Sequence, residues 1–286
     1  MLAYIVRASS LGFVLVAIGC VVFPVLVRRA GIASPRAETL RTWSARTGMT
    51  VMLVFIPVAL ARLYFQLDSM RFPGEPLGQS FGPLLGSTLW GKAWLVQLLC
   101  ASLAAFSFSR GAPARAVSAV LVVVVAVTFS ASGHAAAADN YRIAAIAMDA
   151  THFLAAGAWM GSLAVLAMSW RRSESLVEFA PVVRAFSPVA LTCAAVLAVT
   201  GALPALARLG TLPALFTSPY GRVLIGKLTM VSVVLACGWM NWKKNRVRME
   251  HDAGASLRTG VLWELTAALL VVLLTAVLIV TPPPAE

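Results

Sequence analysis

Two histidines and a carboxylate interrupt apolar stretches near the middle of the chain. His134 closes one stretch, and Met148, Asp149 and His152 lie within the next. Asp149 and His152 are three residues apart, so on a helix their side chains lie one turn apart on the same side. Polar groups inside a bilayer are costly and usually functional. These residues therefore form the candidate site of the sequence.

Metal binding is the chemistry that these residue types favour. Imidazole is the commonest protein ligand for transition metals, and beside a carboxylate such as Asp149 it suits divalent copper, zinc or nickel. A thioether, from Met148 or Met160, shifts the preference toward copper(I). One alternative stays open, in which Asp149 and His152 form a buried hydrogen-bonded pair that only fixes helix packing.

The composition identifies the class of protein that must position these residues. Of the 286 residues, 60% are apolar and 12% are charged, whereas a soluble domain has about 25% charged residues. A soluble fold of this length could not hide so much apolar surface. The chain is therefore predicted to be an integral membrane protein.

Eight apolar stretches are long enough to span a hydrocarbon core, which takes about 20 residues of helix. Strand alternation is absent, so every span is predicted to be helical. The prediction is an all-α, polytopic membrane protein in which residues 1–286 form a single domain of eight transmembrane helices. The spans run over about Tyr4 to Val27, Trp43 to Leu67, Leu89 to Phe108, Ala116 to Ser132, Ile143 to Trp170, Phe186 to Ala207, Val223 to Trp242 and Gly260 to Thr281.

The basic residues predict the orientation. With the amino terminus outside, fifteen of the 23 Lys and Arg residues fall in cytoplasmic loops and five in the opposite loops. The positive-inside rule then puts both termini on the outer, non-cytoplasmic side of the membrane. The net charge of +12 is explained by orientation, and no nucleic-acid partner is expected. At 1.5 Å per residue, Asp149 lies ~9 Å and His152 ~14 Å below the outer interface.

Other charged residues also fall within spans. Arg62 and Lys92 are expected to reach the outer interface by snorkelling. Lys227 lies a turn inside its span, and either Asp149 or Glu264 could pair with it. His251 lies in a basic cytoplasmic loop and is expected to be solvated.

The four cysteines are all intramembrane and form no C-x-x-C pair, so neither a disulfide framework nor a structural zinc site is indicated. Three of them, Cys20, Cys193 and Cys237, fall in the predicted cytoplasmic half. Whether they accept a soft metal is left open.

Three segments carry a resemblance to a known family. The string Ser132-Gly-His-Ala-Ala, followed by His152-Phe-Leu-Ala-Ala-Gly-Ala-Trp-Met-Gly161, resembles the paired signature of the bacterial copper resistance D (CopD) family. The stretch Ser218-Pro-Tyr-Gly-Arg-Val-Leu-Ile-Gly-Lys227, continuing to Asn241, is similar to that family's Tyr-Gly and Lys segment. With eight spans, the resemblance covers essentially the whole chain.

The resemblance implies a copper transport and homeostasis protein of the inner membrane. Copper would pass from the periplasm toward the cytoplasm, often with a small periplasmic copper-binding partner of the C type. The family's histidines fall on His134 and His152, and its Trp-x-Gly on Trp159 and Gly161. The predicted metal ligands are His134, Asp149, His152 and Met148, the oxidation state of the copper stays open, and no enzymatic reaction is expected.

Two other functions use the same residues. Two intramembrane histidines could ligate one haem iron, as in a b-type electron-transfer protein, but a bis-His site needs both at one depth. The predicted depths of His134 and His152 differ, which favours a bare metal ion. A copper-delivery factor for a respiratory oxidase would share the ligands, and the sequence does not separate it from a transporter.

Overall fold

Helices make up nearly all of the chain that the structure describes. A computed structural model describes residues 2–32, 34–71, 76–133, 141–170, 180–247 and 253–278, with Thr281 and Pro284. No strand occurs in those ranges, in agreement with the predicted all-α class. His134 and His251 lie outside the described residues, and so does the side chain of Glu264.

Eleven α-helices follow one another in the described ranges. They are α1 (Leu2–Arg29), α2 (Ser34–Met70), α3 (Leu77–Ser87), α4 (Leu89–Ser109), α5 (Arg115–Ala131), α6 (Arg142–Ala156), α7 (Ser162–Trp170), α8 (Ala180–Leu209), α9 (Ala214–Thr217), α10 (Pro219–Val247) and α11 (Ala253–Leu278). A 3₁₀ turn over Ala112–Ala114 precedes α5, and a π-helical turn over Gly157–Gly161 joins α6 to α7.

Seven helical segments in the described ranges are long and apolar enough to cross a membrane. They coincide with the first seven predicted spans. The eighth predicted span falls on α11, in which Leu269–Leu278 forms a shorter apolar stretch. The short helices α3 and α9 lie between predicted spans, in stretches of the chain that contain Gly and Pro.

The start of α1, the end of α2, the start of α4 and the end of α5 meet at one end of the bundle. Residues of α1, α2 and α4 line a common cavity there, and Arg62 of α2 bonds Ser132 just after α5. We call this end the amino-terminal face. It corresponds to the side that the basic residues predict to be non-cytoplasmic.

Helix α1 is the centre of the bundle. It packs against α2, α5, the π-helical turn, α7, α8 and α11. Of the residues in its 18-residue apolar stretch, 61% are buried, whereas 6% are buried in the corresponding stretch of α8. Its fully buried side chains include Val14 and Phe23. Helix α8 instead exposes Leu191 (75%) and Val199 (61%), as expected of a lipid-facing surface.

A proline inside α1 is compensated by the neighbouring helix. Pro24 has no N–H to donate to the carbonyl oxygen of Cys20, four residues earlier. The buried hydroxyl of Ser44 on α2 donates to that oxygen at 2.9 Å. The carbonyl group is thereby satisfied without water, as the bilayer interior requires.

The closest helix contact joins α1 to the π-helical turn, backbone against backbone. A Cβ at Gly19 would overlap the carbonyl group of Gly161, and a Cβ at Gly161 would overlap the carbonyl oxygen of Leu15. Gly157 faces Ile18 as closely. Small residues of this kind allow helices in a membrane to pack without a hydrophobic driving force between them.

A methyl group at this contact should destabilise the bundle. Gly19→Ala is expected to cost about 3 kcal/mol, because the obstructing atoms are backbone and cannot rotate away. Gly12→Ala in the same helix meets no atom within 4 Å and should cost nothing. Thermal unfolding of the two purified variants in detergent measures the difference, and equal midpoints would contradict the proposed packing role of Gly19.

Candidate metal site

His152 lies on α6 with its imidazole turned toward α8. Its side chain is half-buried, and Nδ1 lies 2.9 Å from Oγ1 of Thr200. The Thr200 hydroxyl in turn donates to the carbonyl oxygen of Val196 at 2.6 Å, one turn earlier in α8. A short chain of hydrogen bonds therefore fixes the ring.

The role of Nδ1 in this bond depends on the tautomer of the ring. A threonine hydroxyl has a single hydrogen, and the Thr200 hydroxyl lies within bonding distance of both the carbonyl oxygen of Val196 and Nδ1. In the tautomer with its hydrogen on Nδ1, the ring donates to Thr200 while Thr200 donates to Val196. The lone pair is then on Nε2, which is the arrangement of a metal-ligating histidine whose other nitrogen is held by a hydrogen bond.

Helix α8 is shaped to receive the ring. A Cβ at Gly201 would lie 3.1 Å from Cε1 of His152, so glycine provides the room that the imidazole occupies. Pro204, inside the same helix, lacks the N–H that would bond the Thr200 carbonyl oxygen. Thr200 therefore supplies a hydroxyl group that orients the ring and a carbonyl oxygen released from the helix.

Two opposite charges lie near His152. Asp149, one turn earlier on α6, is exposed, and Lys227 on α10 is half-buried. The charge of Lys227 interacts with that of Asp149 and also with His152. The structure thus brings Asp149 within electrostatic range of Lys227, and the side chain of Glu264, the other carboxylate considered, lies outside the described residues. Lys227 was considered from the sequence only as a charge that needed a partner, and it is part of this site.

The structure describes one of the two remaining predicted ligands. Met148 is half-buried on α6, and His134 lies outside the described residues. Among the side chains that the structure describes, no three His, Cys, Asp or Glu residues come close enough to hold a metal ion together. The described part of the site is therefore an oriented imidazole with a carboxylate one turn away.

The π-helical turn changes the helix face that the sequence predicted. A continuous α-helix would align Trp159 with Met148 and His152. Because the turn over Gly157–Gly161 contains an extra residue, side chains after it are rotated relative to that face. Trp159 is buried in the α1 core.

A buried arginine network beside α6 was missed from the sequence. Arg62 was expected to snorkel, yet it is only 8% exposed. It donates from Nη1 to Oε1 of Gln97 at 3.1 Å and from Nη2 to Oγ of Ser132 at 3.4 Å. Two neutral polar residues, Gln97 of α4 and Ser132 just after α5, hold the guanidinium inside the bundle, so the snorkelling prediction is wrong. Lys92 is exposed at the start of α4.

Aromatic contacts connect this network to α6. The Arg62 guanidinium carbon lies 4.3 Å from the ring centroid of Phe129. Phe129 stacks on Phe153, with centroids 5.3 Å apart, and Phe153 adjoins His152 in the chain. The sequence contained one signal for the buried arginine, because Gln97 of α4 lies at a depth similar to that of Arg62 and could act as its acceptor.

Together the fold and site define a multi-pass helical membrane protein with an oriented histidine inside its helix bundle. Residues 1–144 match the family model described as Copper resistance protein D-like, N-terminal domain. Residues 180–278 match the one described as Copper resistance protein D. The chain belongs to the copper resistance protein D family. His152 and the π-helical turn lie between the two matched ranges.

A longer relative is also similar. The Copper transport protein CutJ of Bacillus subtilis (strain 168) is 28% identical over 145 residues, which are 48% of this chain and 26% of the relative. The chain thus spans about a quarter of the length of the curated relative that it matches. No solved structure matches the chain.

The hydrogen bond between His152 and Thr200 predicts how Thr200 affects metal binding. Thr200→Val removes the hydroxyl group, frees the ring to rotate and should lower the affinity for copper(I) and copper(II) about 10- to 100-fold. Thr200→Ser keeps the hydroxyl and should bind as the wild type does. Competition titration of the purified protein against a chelator measures the affinities. Equal affinities for the valine and serine variants would show that the bond does not orient a ligand.

Proposed function

We propose that this protein transports copper from the periplasm toward the cytoplasm, with His152 as the intramembrane ligand. The observation that carries the proposal is the bond between Nδ1 of His152 and Thr200, because it orients the ring and does not use Nε2. In the tautomer protonated at Nδ1, Nε2 has a free lone pair for a metal ion. Membership of the copper resistance protein D family supports copper as the cargo.

The proposed topology has eight spans, with α11 as the eighth and both termini on the periplasmic side of a bacterial inner membrane. The 26-residue length of α11 supports its assignment as a span, since about 20 residues suffice. The excess of basic residues in loops of one side supports the orientation. The amino-terminal face is then periplasmic.

In this proposal copper passes from His134 to His152, with Met148 as an additional soft ligand and Asp149 offsetting the charge of the ion. Such stepwise exchange replaces the water of the ion by protein ligands. No covalent bond of a substrate is broken, so the protein acts as a carrier and not as an enzyme. A small periplasmic copper-binding protein of the C type would supply the ion.

The Asp149–Lys227 interaction supports a defined role for Lys227. Without metal, the ammonium group balances the carboxylate inside the membrane, where an uncompensated charge is expensive. A copper ion bound near His152 would take over that balance, since Lys227 also acts on His152. Lys227 would thus oppose permanent occupation of the site and promote release.

Loss of the ligand should abolish accumulation of copper. His152→Ala is expected to reduce protein-dependent cytoplasmic copper to the level of cells without the protein, as measured by elemental analysis of fractionated cells. His251→Ala is the matched control, because it removes the histidine of the basic loop and should leave uptake unchanged. Equal cytoplasmic copper in the wild type and His152→Ala would refute the role of His152, and a Soret band from the purified protein would favour haem.

Lys227 is expected to limit the affinity of the site. Lys227→Met removes a positive charge that opposes a bound cation, and it should raise copper affinity about tenfold while slowing transport. Lys227→Arg keeps the charge and should change the affinity little. Chelator competition and uptake rates, measured on both variants, test the two effects. A lower affinity in Lys227→Met would indicate that Lys227 only stabilises the fold.

A further inference from the structure

A cavity of about 260 Å³ opens among α1, α2 and α4 at the amino-terminal face. Its lining runs from exposed Tyr4 and Ser69 to buried Arg62. Arg7 of α1, which is half-buried, also lines it. The cavity is distinct from the candidate metal site, which lies between α6, α8 and α10.

The cavity has an excess of positive charge. Arg7 and Arg62 lie close enough to repel each other. Within the described ranges neither has an ion pair with a carboxylate, and the two partners of Arg62, Gln97 and Ser132, are neutral. Two guanidinium groups at one intramembrane cavity are costly unless an anion accompanies them.

The donors around the cavity suit an oxyanion. Each of the two Arg62 bonds uses one N–H, which leaves three of the five guanidinium hydrogens. Gln66 adds an amide group to the lining, whereas the hydroxyl group of Ser69 donates to the carbonyl oxygen of Gln66 at 2.8 Å. Guanidinium groups bind phosphate oxygens in pairs, with a planar geometry that a lone ammonium group does not offer.

The apolar part of the lining indicates where such an oxyanion would come from. Tyr4, Phe65 and Trp90 line the same cavity, and tyrosine and tryptophan are enriched where lipid headgroups meet the hydrocarbon. The volume far exceeds what a water molecule or a halide ion needs. A phosphate group attached to a glycerolipid fits both the charge and the aromatic rim.

We propose that this cavity, defined by Arg7, Arg62, Gln66, Ser69 and Trp90, is a phosphate-binding site that takes the phosphodiester headgroup of a membrane phospholipid. The same chemistry would accept free inorganic phosphate. The bound oxyanion neutralises the two arginines and ties α1 to α2. The proposal does not depend on copper transport, because none of these residues belongs to the candidate metal site.

The test compares Arg7→Gln with Arg71→Gln in the full-length protein purified in phosphate-free detergent. Arg71 is the matched control, because it lies at the same face, pairs with Asp68 at 2.9 Å and does not line the cavity. One arm follows the thermal midpoint in sodium phosphate against sodium chloride of equal ionic strength. The other counts phosphatidylglycerol adducts by native mass spectrometry.

The wild type and Arg71→Gln are expected to bind one phosphatidylglycerol with the same affinity. Arg7→Gln should bind it about 10- to 100-fold more weakly, the loss expected for charge-assisted hydrogen bonds. Arg7→Lys, which keeps the charge without the fork, should fall between them, and circular dichroism verifies that every variant is folded. Stabilisation by inorganic phosphate alone, lost in Arg7→Gln, would support the site with the free ion as its ligand.

Two results would overturn the proposal. The first is equal binding of both probes by the wild type, Arg7→Gln and Arg71→Gln. The second is no binding of either probe by the wild type, which would mean that the chain itself compensates the arginines. Copper uptake by Arg7→Gln is measured separately, so that failure of this site and failure of the transport proposal remain distinguishable.

Discussion

Polar groups inside a lipid-facing bundle must find their partners within the protein, and this constraint organises the structure. The Cys20 carbonyl oxygen, freed by Pro24, accepts from Ser44. Arg62 has Gln97 and Ser132. Each bond joins two or more helices, so satisfying the polar groups also fixes how the helices are arranged. In water the same groups would be hydrated and would impose much less on the packing.

The candidate metal site follows from the same constraint. The hydroxyl group of Thr200 bonds within α8 and also holds Nδ1 of His152 on α6. Gly201 provides the space, and Pro204 releases a carbonyl oxygen one turn from its own position. Two neighbouring residues of α8, Thr200 and Gly201, thus accommodate one imidazole on another helix, although α8 has the smallest buried share of the seven spans. The surface of α8 toward lipid consists of exposed apolar side chains such as Leu191. Its surface toward α6 must bond the imidazole at Thr200 and leave room for it at Gly201.

Much of the fold could be predicted from the sequence, because hydropathy and segment length are local properties. Seven spans follow from stretches such as Leu89 to Phe108. His152 could be found because an ionisable residue in an apolar stretch is conspicuous. Its partner could not, since Thr200 lies 48 residues away and threonine is ordinary in a membrane helix. Arg62 was misjudged for a related reason, because snorkelling and burial depend on whether a neighbouring helix offers an acceptor, which Gln97 does.

The π-helical turn has a consequence for the length of its segment. One extra residue in a turn shifts the angular register of everything that follows by roughly 100°. Deleting one residue between Gly157 and Gly161 would restore a regular helix and turn α7 on its axis relative to α6. Chain length here is thus as restrictive as residue identity is at Gly157 and Gly161, where a side chain would overlap α1.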